Sequence, residues 1–138
     1  MIELRGDEAL AVFTSPRAAL LSAIDLQGHF QREGELDPTL PLRVGMGVDL
    51  GEVVPIQGGY RGRALNLAAR LCSLAGAGEV FASEAFVHLA RKTEGCVYID
   101  RGEVHLKGLA DPVRVIQILP SSVPAQMRLA VRGDGAME

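Results

Sequence analysis

Apolar and polar positions change period several times along the chain, and each change marks an element. IELR and EALAVFT flank Gly6-Asp7, a pair that tolerates tight geometry, so the N-terminus predicts two short strands joined in a hairpin. From Ser15 the spacing lengthens to that of a helix. Ala19, Ala23, Leu26 and Phe30 fall on one side, Ser15 is the N-cap, Pro16 occupies the first turn, and the helix is expected to end near Gly34. The loop GELDPTLP leads into LRVGMGVDLGEVVPI, rich in valine and broken by glycines, as bent strands are. A second helix follows in GGYRGRALNLAARL and stops at Gly76 and Gly78; EVFAS reads as a buried strand, and Ser83 caps a short helix to about Lys92. CVYID, GEVHLKG and VRVIQIL are three further strand candidates, the last two separated by the GLADP turn. Beyond Pro120 neither period continues, so residues 1–119 are read as the domain and 120–138 as a mobile tail.

The second helix holds the candidate chemistry. Arg63, Asn66 and Arg70 recur at i, i+3 and i+7 and share one stripe, while Leu65, Ala68, Cys72 and Ala75 form an apolar stripe expected to face the core. An amide and two guanidinium groups beside the free N–H groups of a helix start suit a triphosphate or another polyanion. The competing reading is a solvated charged face with Gly58, Gly59 and Gly62 simply providing the turn before it. Arg61 and Arg63 fit the solvated reading. Tyr60 suits either loop packing or a base pocket.

Composition narrows the classes. A chain of 138 residues with net charge −3 fits one core and gives no reason to expect nonspecific nucleic-acid binding. No apolar run is long enough to span a membrane and no signal-peptide layout opens the chain, so a soluble cytoplasmic protein is expected. Cys72 and Cys96 read as buried free thiols, and His29, His88 and His105 lack metal-ligand spacing.

Taken in order, the Gly-Asp turn between strands, LRVGMGVDLGEVV, GGYRGRALNLAARL, AGAGEVFAS and HLKGLADPVRVIQI resemble the catalytic domain of class III nucleotidyl cyclases, over roughly residues 2–119. The resemblance implies an α+β sandwich of ferredoxin-like type, a mixed sheet covered by helices. It implies the conversion of ATP or GTP to the cyclic 3′,5′-monophosphate and pyrophosphate, with two Mg²⁺ or Mn²⁺ ions held by two aspartates. The second aspartate maps onto Asp7, the transition-state asparagine and arginine onto Asn66 and Arg70, and the phosphate-binding lysine onto Lys107. Family sites form across a head-to-tail dimer, which implies a homodimer or a partner domain here.

The chain also departs from the family. The strand bearing the first metal aspartate, and the two helices after it, have no counterpart; Asp25 and Asp49 are the nearest spare carboxylates and neither aligns. Glu3 occupies the purine-reading position that is lysine in adenylate cyclases and glutamate in guanylate cyclases, but its partner position is Gly59, so base selectivity stays open. Losing a central strand exposes sheet edges, and the chain is expected to dimerise or swap elements to cover them. Three functions follow: a cyclase domain of weak or conditional activity, a degenerate nucleotide-binding regulatory module, or an interaction module.

Overall fold

The computed structural model describes residues 2–5, 7–39, 44–90, 93 and 95–121. Its centre is a four-stranded sheet in the order β3 (Met46–Val48), β6 (Val80–Ser83), β8 (Val113–Pro120) and β7 (Cys96–Val104). β3 runs parallel to β6, while the β6–β8 and β7–β8 pairs are antiparallel, so the sheet is mixed. Helices α1 (Pro16–Leu36) and α3 (Glu84–Ala90) cover one face and α2 (Arg63–Leu74) the other. β6 explains the layering. With both faces covered, every one of its residues is buried: Val80 and Ala82 pack toward Leu20 of α1 and Phe86 of α3, Phe81 toward Leu67 and Leu71 of α2. This is the α+β sandwich, a mixed sheet covered by helices, that the sequence predicts.

Local signals account for the helix ends. The Ser15 hydroxyl accepts from the Ala18 N–H at 3.3 Å with Pro16 in the first turn, and the Ser83 hydroxyl accepts from the Phe86 N–H at 3.2 Å. α1 runs to Leu36, past Gly34, because a helical glycine weakens a helix without ending it. CVYID and GEV belong to one strand. Gly102, at φ +85°, forms a register shift between Asp100 and Glu103 instead of a turn, its N–H held by the Asp100 carboxylate at 2.8 Å. The HLKG segment is then a turn, closed by the Leu109 N–H on the Leu106 carbonyl at 3.1 Å.

Two short hairpins flank the sheet. β1 (Ile2–Arg5) pairs with β2 (Glu8–Ala11) around Asp7, and β4 (Val54–Ile56) with β5 (Gly59–Arg61). The glycine loop ahead of α2 is therefore partly strand, with Gly59 opposite Ile56. Of the residues read as a tail, 122–138 lie outside the described residues.

The buried side of α2 is rotated from its predicted position. Ala64, Leu67 and Leu71 are the fully buried residues, whereas Leu65, Ala68, Cys72 and Ala75 are half-buried. The cause is tertiary. Leu67 and Leu71 fill the space over Phe81, Val115 and Leu106, while Leu65, Ala68 and Cys72 turn toward the more open β2 hairpin.

Candidate nucleotide-binding face

α2 holds its polar stripe in solvent while its other side is clamped. Gly62 enters the helix with its Cα so close to the Glu52 carbonyl that a Cβ there would lie 2.6 Å from that oxygen. From that anchored start Arg63, Asn66 and Arg70 all face outward and are exposed. The Arg70 guanidinium reaches the Leu106–Leu109 turn, 3.8 Å from where a Cβ on Gly108 would stand, and exposed Lys107 is the next residue. The Arg70 guanidinium thus stands against the turn that carries Lys107, with Asn66 a turn away on the same helix stripe. Such a group neutralises and orients a polyphosphate.

Asp7 is not part of that face. Exposed in the hairpin turn, it acts with Glu8 on the Cys72 thiol. Burial pushes that thiol above its ordinary pKa, the two carboxylates push it further, and the Gly47 N–H against the sulfur opposes them. Cys72 lies two residues past Arg70, about 200° around the helix, so Asp7 and Arg70 stand on opposite sides of α2. Glu3 lies in β1 opposite Leu10, and Gly59 lies in β5. The structure therefore joins Arg70 with the Lys107 turn and separates both from Asp7.

The implied divalent ions test poorly against these residues. Among the described residues no group of three or more His, Cys, Asp or Glu side chains is placed to hold a metal. Asp7 and Glu8 with a thiol kept protonated do not supply the set of hard oxygen ligands that Mg²⁺ or Mn²⁺ requires. The described residues of one chain do not fit a metal pair.

Asp49, which the sequence offers only as a spare carboxylate that does not align, stands in a polar cluster of its own. It accepts a short hydrogen bond from Ser83 Oγ, the same hydroxyl that caps α3, at the base of a cleft of about 500 Å³ shared with Arg63, Glu84 and Arg114. Burial raises its pKa, and the Ser83 bond, the Leu50 N–H and Arg63 pull it back. Arg114 at the rim is paired with Asp100 at 2.8 Å and Glu103 at 3.3 Å. An acid followed by a helix-capping serine far along the chain carries no joint sequence signal.

A mixed sheet, helices on both faces and a polar stripe on the helix after a glycine-rich hairpin make up a nucleotidyl cyclase-like fold. The chain has the fold of the class III adenylate/guanylate cyclases. An adenylate/guanylate cyclase/hydrolase from Silicibacter pomeroyi is 28% identical with TM-score 0.76, covering 88% of this chain and 73% of that one. The adenylyl cyclase CyaB from P. aeruginosa is 27% identical with TM-score 0.64, covering 78% and 60%. Uncharacterised proteins of Mycobacterium tuberculosis and Mycobacterium bovis are 29% identical over 118 residues, 86% of this chain. The chain spans 29% of the length of those curated relatives. No family model matches. Among the described residues no helix is long and apolar enough to cross a membrane.

Proposed function

We propose that residues 1–138 form a cyclase-homology module that binds a nucleoside triphosphate and, taken alone, turns it over weakly or not at all. The observation carrying this reading is the Arg70 guanidinium against Gly108, beside Lys107 and in line with Asn66. In this role Arg70 and Lys107 hold the phosphates and the Asn66 amide orients the ribose, with Glu3 and Gly59 the base-reading positions that the resemblance implies. Cyclisation requires the ribose 3′-oxygen to attack the α-phosphorus as pyrophosphate leaves and the hydroxyl gives up its proton. Arg70 suits the charge that grows on the phosphate. Asp7, the carboxylate that the resemblance assigns to a metal, lies across the helix from Arg70, and this is why turnover by the chain alone is expected to be low. A head-to-tail homodimer would bring Asp7 of one copy toward Asn66 and Arg70 of the other.

The test is ATP and GTP binding, with cyclic nucleotide formation measured in the same Mn²⁺ samples, for the chain beside Arg70→Ala. Binding that Arg70→Ala weakens, with little product, supports the module. Product that disappears in Arg70→Ala makes the chain a working cyclase and fixes the base. A folded chain that binds neither nucleotide removes the reading and favours an interaction role.

A further inference from the structure

β7 changes partway along which of its residues face α2, and a buried arginine stands at the change. Asp100 pairs with Ile116 and Glu103 with Arg114, so three steps along β7 answer two along β8. Ahead of that bulge Cys96 and Tyr98 pack toward α1 and α3, so the alternate positions, Ile99 and Arg101 among them, face α2. Beyond it the parity is reversed. Val104 and Leu106 join Leu67 and Leu71 under α2. Without the extra residue both would face away from α2, and the Leu106–Leu109 turn that meets Arg70 would move with them.

Arg101 ties this bulge to α2. Its side chain is 9% exposed, its guanidinium lies 5.3 Å from the centre of the Phe81 ring, and Nη1 donates to Gln117 Oε1 at 2.6 Å and Glu79 Oε2 at 3.2 Å. Glu79 passes the contact on. Its other oxygen accepts from the Gly76 N–H at 2.6 Å, two residues past the end of α2, and its backbone carbonyl takes the Met46 N–H of β3. One largely buried ion pair thus spans β7, the start of β6 and the exit of α2. Desolvating two charges offsets most of their attraction, so the use of such a pair lies more in fixing one geometry than in stability.

We propose that Arg101 is a positioning residue. By locking the β7 bulge to the exit of α2 it sets the turn that carries Lys107 against Arg70, although Arg101 itself is buried and touches no nucleotide. The guanidinium suits this place because its plane lies over Phe81 while its edge serves two acceptors. The benefit to binding rests on the nucleotide reading of that face; the lock does not.

The test removes both charges together. Arg101→Met with Glu79→Gln keeps an acceptor for the Gly76 N–H and an unbranched apolar chain over Phe81, and it strands no charge. Urea midpoint, ATP affinity and exchange of the Leu109 amide, which donates to the Leu106 carbonyl at 3.1 Å, are read on the 138-residue chain. The double variant is expected to keep its midpoint within about 0.3 M, to exchange Leu109 about tenfold faster and to bind ATP about tenfold more weakly. Arg101→Lys, which keeps the charge beside Glu79, is expected to recover part of both losses. An unchanged Leu109 rate, or a fallen midpoint with all amides faster alike, overturns the proposal. Faster Leu109 exchange with undiminished ATP binding overturns it too. If the parent chain binds no ATP, the nucleotide reading fails by itself, and faster Leu109 exchange at an unchanged midpoint still upholds the lock.

Discussion

Gly47→Ala tests the joint on which the candidate face rests. At Gly47 β3 comes so near α2 that a Cβ would lie 2.2 Å from the Ala68 carbonyl oxygen and 2.4 Å from the Cys72 nitrogen. Carbon and oxygen do not approach closer than about 3.3 Å without strong repulsion, so the methyl is roughly 1 Å too far into backbone that has no rotamer to change. Either α2 retreats by that distance or β3 shifts in its pairing with β6. A retreat opens space beside Leu71, which is fully buried, and Leu67, so overpacking of about 1–3 kcal/mol is joined by lost core contact. The total expected loss is about 3 kcal/mol or more, a large part of the roughly 5–15 kcal/mol typical of a domain. Urea unfolding followed by circular dichroism reads it directly: with a slope of about 2 kcal/mol/M, the midpoint falls by about 1.5 M. Gly45→Ala, with its Cβ 2.7 Å from the Ala75 carbonyl, and Gly51→Ala, 3.1 Å from the Ala64 methyl, should follow in decreasing order of damage. A Gly47→Ala chain within about 1 kcal/mol of the parent, or an inverted order, would refute the close-packed joint.

The other predictions concern separate parts of the molecule. Gly34→Ala, in helical α1 with nothing within 4 Å of the added methyl, should stabilise the chain by about 0.5–1 kcal/mol in the same urea assay. Asp49 is held above its ordinary value of 3.8, so its ionisation costs the native state stability at neutral pH, and that cost fades as the acid is protonated in both states below 3.8. Asp49→Asn, which keeps an acceptor for Ser83, should be more stable than the parent at pH 7 and equal to it near pH 3; lower stability at pH 7 would count against the burial argument. Arg70→Ala should weaken nucleotide binding about tenfold or more while unfolding stays within about 0.5 kcal/mol, because the side chain is exposed. If Asp7 and Arg70 serve one site from two copies, mixing Asp7→Ala and Arg70→Ala chains should restore Mn²⁺-dependent nucleotide binding that neither has alone; an unrestored mixture would place them in unrelated sites.

Where a signal is local, the sequence could be read. Ser15-Pro16 and Ser83 open helices because a hydroxyl satisfies an orphan N–H whatever surrounds it, and Val80–Ser83 reads as a buried strand because four residues between two layers all turn inward. Gly102 misled because a positive-φ glycine serves a bulge as well as a turn, and only the partner strand decides which. The rotation of α2 was hidden for a similar reason. Its Leu65-Ala68-Cys72 and Ala64-Leu67-Leu71 stripes are both apolar and adjacent, and the sheet alone selects the one it covers fully. Asn66 and Arg70 are legible together because one helix carries them, but the meeting of Arg70 with the Lys107 turn is set by where β7 ends, which no spacing in the chain encodes.

α2 is packed on two sides at once. Its outward stripe needs a rigid backing, which Leu67 and Leu71 provide against Phe81 and Val115. Its third side, at Leu65 and Ala68, faces an apolar cleft, and Cys72 a turn further on donates through its sulfur to the Gly45 carbonyl, a contact weaker than a strand-ladder bond. A helix about 10 Å across separates Arg70 from Asp7, so nothing bound at the outward face touches the cleft directly. Any influence of one on the other must pass through the position of α2 itself, and the contact at Gly47, where helix and strand backbones meet with no side chain between them, is the stiffest route for it.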